Sequence, residues 1–369
     1  MKPQSTRLAI IGAGIAGLTA ARLYQAGGLD VQLFDKGQNV GGRCATRRRD
    51  GLAFDHGAPF IAASSNDFRW TMRRWMMGAA LQNWKPKAAT GFPAGLRLFT
   101  GTPDMNAIPQ RLATGLDITR RVTVDRIERQ PDGAWRLFDT ESETLGDFAA
   151  VLITCPPDQA QRLLQSGLDT GLVPDHWFRR PVRMRAAWTV MVAFDGRVPT
   201  DSDALVLDGE PLDYALRNSS KPGRIREQET WVMHAAPDIT EQFLDHPKDA
   251  VVDDFLAALA YHLDAPLPRV IFAQAHRWLY AHARAEAEFE GETKRNEAAL
   301  PATGYGTGFG SAKATIEYSL FDPETGLGLA GDWIRPPASP YLGVQSAWLS
   351  GRDAGKRIRH WCRRRGAKA

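Results

Sequence analysis

The residues with the clearest chemical potential lie near the start of the chain, where three glycines follow a short apolar run. Gly12, Gly14 and Gly17 form the pattern G-x-G-x-x-G directly after Leu8–Ile11. In a strand–turn–helix unit the first glycine allows the turn, the second lets the backbone approach a pyrophosphate, and the third lets helix and strand pack closely. The N–H groups and macrodipole of the helix N-terminus favour the anion. The pattern predicts a dinucleotide site, and the alternative is a βαβ unit without a ligand.

An acidic residue follows at the position where such a unit uses one. A helical run from Ile15 to Ala26 and a strand from Val31 to Phe34 lead to Asp35, eighteen residues after Gly17. An acidic side chain at this point receives a ribose 2′-OH. The dinucleotide hypothesis therefore depends on the whole segment, and not on the glycines alone.

The loop after Asp35 contains Gly41-Gly42-Arg43. Paired glycines free the backbone, and the arginine is suited to pairing with a phosphate. The alternative is a surface loop with a cationic edge, continued by Arg47, Arg48 and Arg49. The sequence leaves both interpretations open.

Length and composition indicate two domains in an ordinary globular protein. The chain has 369 residues, and single cores stop growing at roughly 250–300 residues. It is 43% hydrophobic and 24% charged, and no apolar run approaches the roughly 18 residues of a membrane span.

The polar stretch from Met1 to Arg7 lacks the apolar core of a signal peptide, so a cytoplasmic location is expected. Cys44, Cys155 and Cys362 are odd in number and far apart, so neither a disulfide framework nor a metal site is expected.

The net charge of +4 comes from the end of the chain. Seven Lys and Arg residues fall within Lys356 to Ala369, and the other 355 residues carry 39 basic and 42 acidic side chains. The distribution gives no reason to expect nucleic acid as a partner. We predict a solvated, fraying C-terminus, and the alternative is a contact with a surface or partner.

The order of elements predicts an α/β fold with a Rossmann-like parallel sheet and a second α+β domain on a mostly antiparallel sheet. The apolar run from Ala149 to Thr154 suits a strand covered on both faces. We assign residues 1–62, 101–160 and 326–369 to the dinucleotide-binding domain, and residues 63–100 and 161–325 to a substrate domain.

Further helices are predicted over Asn66 to Trp84, Pro103 to Leu116 and Val251 to Leu263, and from Gly343. Further strands are predicted over Val122 to Ile127, Ala134 to Phe138, Ala187 to Phe194, Ala204 to Leu207, Trp231 to Ala235 and Val270 to His276. The segment from Glu286 to Ile316 is expected to be a surface excursion.

Together these motifs resemble the flavin-containing amine oxidase superfamily and, within it, the renalase-like enzymes. The superfamily features are the glycine turn, Asp35, Gly41-Gly42-Arg43, Asp55-x-Gly57, the strand ending at Cys155-Pro156, and Gly331-Asp332 with its following helix. Four stretches are similar to bacterial renalases in particular: Leu212 to Pro222, Trp231 to Ala235, Ala275 to Ala281 and Ala347 to Gly351. The resemblance spans nearly the whole chain except the excursion, and implies the architecture of the flavin amine oxidases and of p-hydroxybenzoate hydroxylase.

The resemblance implies a non-covalent FAD. Its pyrophosphate is expected on the glycine turn, its ribose on Asp35, its adenine at the backbone of Val122 and its ribityl-phosphate region at Asp332. The N–H groups at Gly343 and Val344 would point at the flavin N1/C2=O edge, where reduced flavin carries negative charge; the alternative for Gly343 is an ordinary helix start. The expected cofactor-binding set is Gly12, Ala13, Gly14, Ile15, Ala16, Gly17, Asp35, Lys36, Gly42, Arg43, Gly57, Ala58, Val122, Gly331, Asp332, Gly343 and Val344.

The implied activity is the oxidation of dihydronicotinamide dinucleotides reduced at the wrong ring carbon. Hydride passes to flavin N5, NAD(P)+ is released, and O2 is reduced to hydrogen peroxide. The substrate-side candidates are Arg217, Asn218, His276, Trp278 and Tyr280, because a dihydronicotinamide ring stacks on aromatic walls and its carboxamide needs hydrogen-bond partners. His276 and Trp278 are equally consistent with core residues at a strand end. Arg277 is expected to face away from them.

One position departs from the family, and three other functions stay open. Renalases carry a Gln after Asp55-x-Gly57-Ala58, whereas this chain has Pro59-Phe60, which puts the renalase activity in more doubt than the FAD. The alternatives are a flavin oxidase acting on a small amine, a flavoprotein that binds a partner without turnover, and an NAD-dependent dehydrogenase. The return to the first domain at Gly331 argues against the last of these. Partners other than a small substrate and O2, and the oligomeric state, are not predicted.

Overall fold

The computed structural model describes residues 7–93, 95–169, 171–178, 182–207, 211–285, 317–337 and 339–366. The predicted excursion from Glu286 to Ile316 lies outside these residues. No helix in the described ranges is both long enough and apolar enough to cross a membrane.

The first sheet has six strands and contains the glycine turn at its centre. All neighbouring strands are parallel except the outermost pair, β18 (Ser319–Asp322) and β19 (Leu327–Ala330). The spatial order is β18, β19, β12 (Ala150–Ile153), β1 (Leu8–Ile11), β2 (Val31–Asp35) and β8 (Asp117–Arg120). Every residue of β1, β12 and β19 is buried, as a parallel sheet covered on both faces requires. This sheet confirms the predicted Rossmann-like half of the fold.

Two helices pack against each other on one face of this sheet, α1 (Ile15–Gln25) and α7 (Gly343–Gly366). A Cβ atom at Gly351 would come within 2.1 Å of the Ala16 carbonyl oxygen, so glycine is needed where the two backbones meet. On the other face lie α4 (Pro157–Asp169) and a small antiparallel sheet of β9 (Val124–Arg129), β10 (Trp135–Asp139) and β11 (Thr144–Phe148). The sheet is therefore enclosed between two layers.

The second large sheet is mostly antiparallel, as predicted. Its order is β17 (Val270–Ala285), β13 (Val182–Phe194), β16 (Glu229–Ala235), β15 (Leu212–Arg217), β14 (Ala204–Val206) and β6 (Ala89–Thr90), and only the last pair is parallel. Helix α6 (Lys248–Leu263) buries Val251, Phe255 and Leu259 against one face, beside the short α5 (Pro237–Gln242). The sheet memberships agree with an α/β fold of two parts, and the exact domain boundaries stay a prediction.

The remaining elements follow β2 and precede β8 in the chain. They are the hairpin β3 (Arg47–Arg49) and β4 (Leu52–Phe54), helix α2 (Asn66–Met77), the pair β5 (Leu81–Trp84) and β7 (Leu98–Gly101), and helix α3 (Ala107–Ala113). The expectation that one helix runs from Asn66 to Trp84 is wrong at its end. The chain turns at Gly78 and Ala79, and Leu81 to Trp84 pair with β7. The spacing of apolar side chains in these four residues is equally consistent with a helix and with a strand.

The prediction for the C-terminus is also wrong over Lys356 to Gly366. These residues continue α7, and Ile358 and Trp361 are buried against the first sheet. The Trp361 Nε1–H donates to the Pro323 carbonyl at 2.7 Å. The basic side chains therefore occupy the exposed side of an anchored helix, which a count of charges alone does not reveal.

A fully buried carboxylate connects the hairpin to the second sheet. Asp55 accepts hydrogen bonds from Thr46 Oγ1 at 3.1 Å and Met105 N at 3.0 Å, and it pairs with Lys221 at 3.2 Å and with Arg224. Burial opposes ionisation, but the two cations and the hydrogen bonds lower the pKa of Asp55 to about 2. Burial lowers the pKa of Lys221 to about 8 despite the attraction of Asp55.

Replacing Asp55 by asparagine is expected to lower the free energy of unfolding by about 3–5 kcal/mol, because two buried cations lose their counter-ion. Urea denaturation followed by circular dichroism measures the change. The matched control is Lys221→Met, which leaves Asp55 paired with Arg224 and should cost clearly less. Equal losses in the two variants would contradict this account.

The pH dependence of stability in the wild type and in Asp55→Asn provides a second test of this account. Because the folded-state pKa of Asp55 lies below its ordinary value of 3.8, the carboxylate contributes stability that is fully present above about pH 4. That contribution is lost as the pH falls toward 2. The wild type should therefore lose more stability than Asp55→Asn between these pH values.

Candidate functional site

The turn between β1 and α1 leaves open space above a helix N-terminus. Gly12 has φ +107°, a conformation that L side chains rarely adopt, and a Cβ at Gly17 would lie 2.1 Å from the Gly12 carbonyl oxygen. At Gly14, in contrast, a Cβ would meet no protein atom within 4 Å. The first N–H groups of a helix have no partner within the helix. The N–H groups at Ile15, Ala16 and Gly17 therefore begin α1 beside a space free of protein atoms.

A second glycine turn lies against the first. The Gly41 N–H donates to the Ala13 carbonyl at 2.8 Å, and Gly41 forms a parallel bridge with Gly14. Gly42 is also close, since its Cβ position is 3.7 Å from the Gly14 Cα. The structure thus brings together the two glycine turns that the sequence separates by the length of α1 and β2.

Arg43, which ends the second turn, binds the far end of the same sheet. Its guanidinium forms a two-point ion pair with Asp332, at 2.6 and 2.7 Å, and donates to the Ala281 carbonyl at 3.0 Å. Gly57 and Ala58 pack below it: the Ala58 N–H donates to the Arg43 carbonyl at 2.7 Å, and a Cβ at Gly57 would lie 2.0 Å from that oxygen. That Arg43 and Asp332 contact a cofactor stays a prediction. Because the two side chains form an ion pair, it now concerns them jointly.

Asp35 closes the first turn through its side chain. Its two carboxylate oxygens accept hydrogen bonds from Ala13 N and Gly37 N, each at 2.6 Å. The Val122 N–H donates to the Asp35 backbone carbonyl at 3.1 Å, and Lys36 Nζ contacts Gln159 at 3.3 Å. The carboxylate keeps lone pairs for a ribose hydroxyl, because each oxygen accepts more than one hydrogen bond.

A second helix N-terminus converges on the first. Helix α7 begins at Gly343, where a Cβ would again meet no protein atom within 4 Å, and Val344 belongs to the same buried cluster as Ile15 of α1. Gly331, at φ +156°, directly follows β19, and its N–H donates to Ser350 Oγ of α7 at 2.8 Å. The two positive helix ends and their free spaces suit a long ligand with an anion at one point and developing negative charge at another.

Three aromatic side chains form a wall on the second sheet. The rings of His56, His276 and Trp278 lie in mutual contact, with centroids 4.6–5.2 Å apart. The Trp278 Nε1–H donates to the His56 carbonyl at 2.8 Å and ties β17 to the loop after β4. His56 is 4% exposed, and its Nδ1 has no hydrogen-bond partner in the part of the chain that the structure describes. We call these three residues the His–Trp wall.

The imidazoles of this region are uncharged near neutral pH. Burial lowers the pKa of His56 to about 3 and that of His276 to about 4, and each is lowered further by the positive charge of Arg47. Burial has the same effect on His234 and His282, whose pKa values fall to about 3 and about 4. The wall therefore presents neutral donors and acceptors and aromatic faces, with no positive charge.

The other substrate-side candidates have different surroundings. Arg217 is 2% exposed, and all three of its guanidinium nitrogens donate to protein acceptors, among them Asp203 and Glu229. Its contact with a substrate stays a prediction that this geometry does not favour. Asn218 donates to the Ala53 carbonyl at 2.7 Å, and its buried Oδ1 has no partner among the described residues. Tyr280 is half-buried on β17.

Arg277 lies on the opposite side of β17 from His276 and Trp278, as predicted. It donates to the Leu244 carbonyl and pairs with Asp245 at 2.9 Å, and its guanidinium lies 5.7 Å from the Trp188 ring centroid. Trp188 belongs to the core between the second sheet and α6.

Sequence reasoning gave no role to a second aromatic group beside the start of α7. Phe60, Phe92 and Tyr341 have ring centroids 5.8–5.9 Å apart, and the half-buried Asp213 lies close enough to influence Tyr341 electrostatically. Burial raises the pKa of Asp213 to about 6. The sequence also led to no predicted role for His56. Its position inside the Asp55-x-Gly57 motif could have indicated that it lies near the site.

The fold and the site define a two-sheet protein with a Rossmann-like half that carries a candidate dinucleotide site. Comparison with family models then identifies the class more closely. Residues 10–75 match an NAD(P)-binding Rossmann-like domain, and residues 76–359 match the flavin containing amine oxidoreductase family. The chain belongs to this family, so it is an FAD-dependent oxidoreductase with FAD as its cofactor. The open spaces at Gly14 and Gly343, each at a helix N-terminus, fit that cofactor.

Individual relatives agree with the fold. A zeta-carotene-forming phytoene desaturase from Myxococcus xanthus is 41% identical over 70 residues, which is 19% of this chain and only 13% of the desaturase. A candidate protoporphyrinogen oxidase from Exiguobacterium sp. 255-15 has a TM-score of 0.65 at 14% identity, covering 97% of this chain and 99% of that one. Cyclohexylamine oxidase from Brevibacterium oxydans IH-35A has a TM-score of 0.61 at 15% identity, covering 97% and 99%. At such identities the solved structures support the fold alone.

Replacing Gly14 by valine is expected to abolish retention of FAD without unfolding the protein. The backbone at Gly14 is extended, with φ −80° and ψ −176°, and its Cβ position is free of protein atoms, so the new side chain would occupy only the space expected for the pyrophosphate. Flavin absorbance after desalting measures the loss, and far-ultraviolet circular dichroism checks the fold.

Gly17→Ala provides the contrast. Its Cβ would collide with the Gly12 carbonyl oxygen, so this variant should lose folding stability as well as flavin. A folded Gly14→Val protein that stays yellow would refute the placement of the pyrophosphate.

Proposed function

We propose that this protein is a renalase-type oxidase. Its substrate is a dihydronicotinamide dinucleotide reduced at the wrong ring carbon. The substrate, O2 and a proton yield NAD(P)+ and hydrogen peroxide, and non-covalently bound FAD supplies the two-electron redox chemistry. The observation that carries the proposal is the His–Trp wall, which offers ring faces for stacking and neutral imidazole nitrogens for hydrogen bonds.

The chemistry of the wall suits a nicotinamide ring. The carboxamide has both a donor and an acceptor, and a neutral imidazole also has one of each. Among the residues that the structure describes, His56 Nδ1 and Asn218 Oδ1 are buried polar atoms without a hydrogen-bond partner, which disfavours the free state, and a bound carboxamide would supply partners. His276 and Trp278 would hold the ring in place.

The charge distribution suits oxidation of such a ring. Loss of a hydride turns the neutral dihydronicotinamide into a cation, so a wall of protonated histidines would oppose the reaction. The depressed pKa values of His56 and His276 remove that obstacle. The N-terminus of α7, at Gly343 and Val344, would stabilise the negative charge that the reduced cofactor carries. No strong general base is required for this reaction.

For the cofactor itself, we propose the full set of residues predicted from the sequence. Gly12 to Gly17 would hold the pyrophosphate, Asp35 and Lys36 would lie at the ribose, and Gly42 would adjoin the phosphates. The remaining proposed contacts are Arg43, Gly57, Ala58, Val122, Gly331, Asp332, Gly343 and Val344.

A second function is favoured by one specific observation. The carboxylate of Asp213 is partly desolvated near Tyr341, and no cation is paired with it in the described ranges. Aromatic faces beside a carboxylate recognise ammonium groups. Oxidation of a small amine therefore remains the competing proposal, and the fold that this chain shares with cyclohexylamine oxidase is compatible with it.

Anaerobic titration of the holoenzyme distinguishes these proposals. Dihydronicotinamide dinucleotides reduced at the wrong carbon should remove the oxidised-flavin absorbance at about one equivalent per FAD, and primary and secondary amines should not. Readmitted air should restore the absorbance with formation of hydrogen peroxide. The reverse selectivity would establish the amine oxidase, and a flavin that no donor reduces would indicate a non-catalytic flavoprotein.

His276→Ala should slow flavin reduction by the preferred dihydronicotinamide about tenfold, because it removes one ring and one hydrogen-bonding group from the wall. FAD content should stay unchanged. The control is Leu279→Ala, an exposed position on the same strand, which should reduce at the wild-type rate. Unchanged turnover in His276→Ala would assign this residue to the core.

A further inference from the structure

The strand β3 contains three consecutive arginines with different surroundings. Arg48 pairs with the buried Asp104, and Arg49 pairs with its neighbour Asp50 at 3.3 Å. Arg47 is exposed, and within residues 7–93 and the other described ranges it has no ion pair and no side-chain hydrogen bond. Of the three, Arg47 is therefore the arginine whose charge is available to a ligand.

The register of the hairpin places Arg47 on the side that meets β17. Arg47 is directly opposite Phe54 in the antiparallel pair of β3 and β4, so both side chains begin on the same face. Phe54 stacks on Phe272 of β17 with ring centroids 5.2 Å apart. Phe272, His276 and Trp278 share one face of β17, because side chains alternate along a strand. Arg47 thus lies at the edge of the His–Trp wall.

The electrostatics agree with this position. After burial and, for His56, the neighbouring His276, the positive charge of Arg47 is a cause of the low pKa values of His56 and His276. The wall itself is neutral, so Arg47 supplies positive charge at its exposed edge. Lys248, the first residue of α6, has a weaker effect on His276 from the same general region.

A dinucleotide substrate matches a neutral aromatic wall that has a positive charge at its edge. Its flat ring is joined through one ribose to a pyrophosphate, so a ring that stacks on the wall carries its phosphates toward the exposed edge. A guanidinium presents donors in a planar fork that matches phosphate oxygens. We infer that Arg47 forms a phosphate subsite for the pyrophosphate of the substrate, separate from the phosphate contacts of the cofactor at Gly12 to Gly17. This inference rests on the proposed function.

The test compares Arg47→Ala with Arg49→Ala in the FAD-loaded protein, using two reductants. One is the dihydronicotinamide dinucleotide isomer and the other is the corresponding dihydronicotinamide riboside, which has no phosphate. In Arg47→Ala the half-saturating dinucleotide concentration should rise about tenfold with a limiting rate within about twofold of the wild type. The riboside should react alike with all three proteins, and Arg49→Ala should match the wild type throughout.

A binding measurement separates this inference from the proposed activity. ADP-ribose contains the pyrophosphate but no nicotinamide, and its binding is followed by the change in the flavin spectrum and by competition with the dinucleotide. Its dissociation constant should rise about tenfold in Arg47→Ala and stay unchanged in Arg49→Ala. Raised salt should weaken binding to the wild type more than to Arg47→Ala.

Two results would overturn the subsite. One is equal binding of ADP-ribose to the wild type and Arg47→Ala, or no binding to either. The other is an equal change for dinucleotide and riboside, which would mean that Arg47 acts on the wall and not on a phosphate. If no dihydronicotinamide reduces the wild-type flavin, the proposed function fails, and the ADP-ribose result still decides whether Arg47 binds a phosphate.

Discussion

The buried carboxylate of Asp55 is the interaction on which the arrangement of the site depends. It holds together the hairpin through Thr46, the segment before α3 through Met105, and the segment after β15 through Lys221 and Arg224. A buried ion pair is weak evidence for net stability, because desolvation offsets much of the attraction. In this protein, the main consequence of the Asp55 ion pairs is that they fix the positions of neighbouring residues. His56 and Gly57 follow directly in the chain, so the wall and the support of Arg43 are both fixed by one anion.

The second constraint is the close packing of α1 and α7, the two helices that begin at the candidate cofactor site. Gly351 of α7 lies against the Ala16 carbonyl of α1, and Ile15 and Val344 share one buried cluster. Neither helix can shift along the other without a clash at Gly351. Two positive helix ends, separated by more than three hundred residues of sequence, are thereby held at a fixed spacing. A rigid spacing suits a long cofactor that must be oriented at both ends.

Much of the cofactor half was predictable because its signals are local. The turn at Gly12, Gly14 and Gly17 and the acidic residue after β2 are each read within a few residues, and the strands around them form as expected. The pairing of Arg43 with Asp332 and the hydrogen bond from Trp278 to His56 join residues 289 and 222 positions apart. No local pattern encodes such partners.

The wrong predictions have the same origin, because partners that are distant in sequence decide the structure there. Leu81 to Trp84 were predicted to be helical because four residues do not distinguish the two periods, and pairing with β7 decided the outcome. The basic C-terminus was predicted to fray because its charges are conspicuous, whereas Ile358 and Trp361 pack on the sheet. The substrate role predicted for Arg217 is untested, but tertiary partners already occupy its guanidinium, and Asp203 and Glu229 are distant enough in sequence that their proximity was not visible.

The charge pattern around the wall links structure to the direction of the chemistry. A hydride donor becomes more positive as it reacts, so the reaction is favoured where the donor side is neutral and the acceptor side is positive. Burial keeps His56 and His276 neutral at any pH well above about 4. In the proposed arrangement, the N-terminus of α7 would supply positive potential where the cofactor becomes negative. Arg47, at the exposed edge, adds positive charge on the donor side, which would oppose the developing ring cation if solvent did not screen it. Solvent screening keeps that charge from opposing the reaction, and a phosphate bound at Arg47 would neutralise it, so the contribution of Arg47 falls on substrate binding and not on the hydride step.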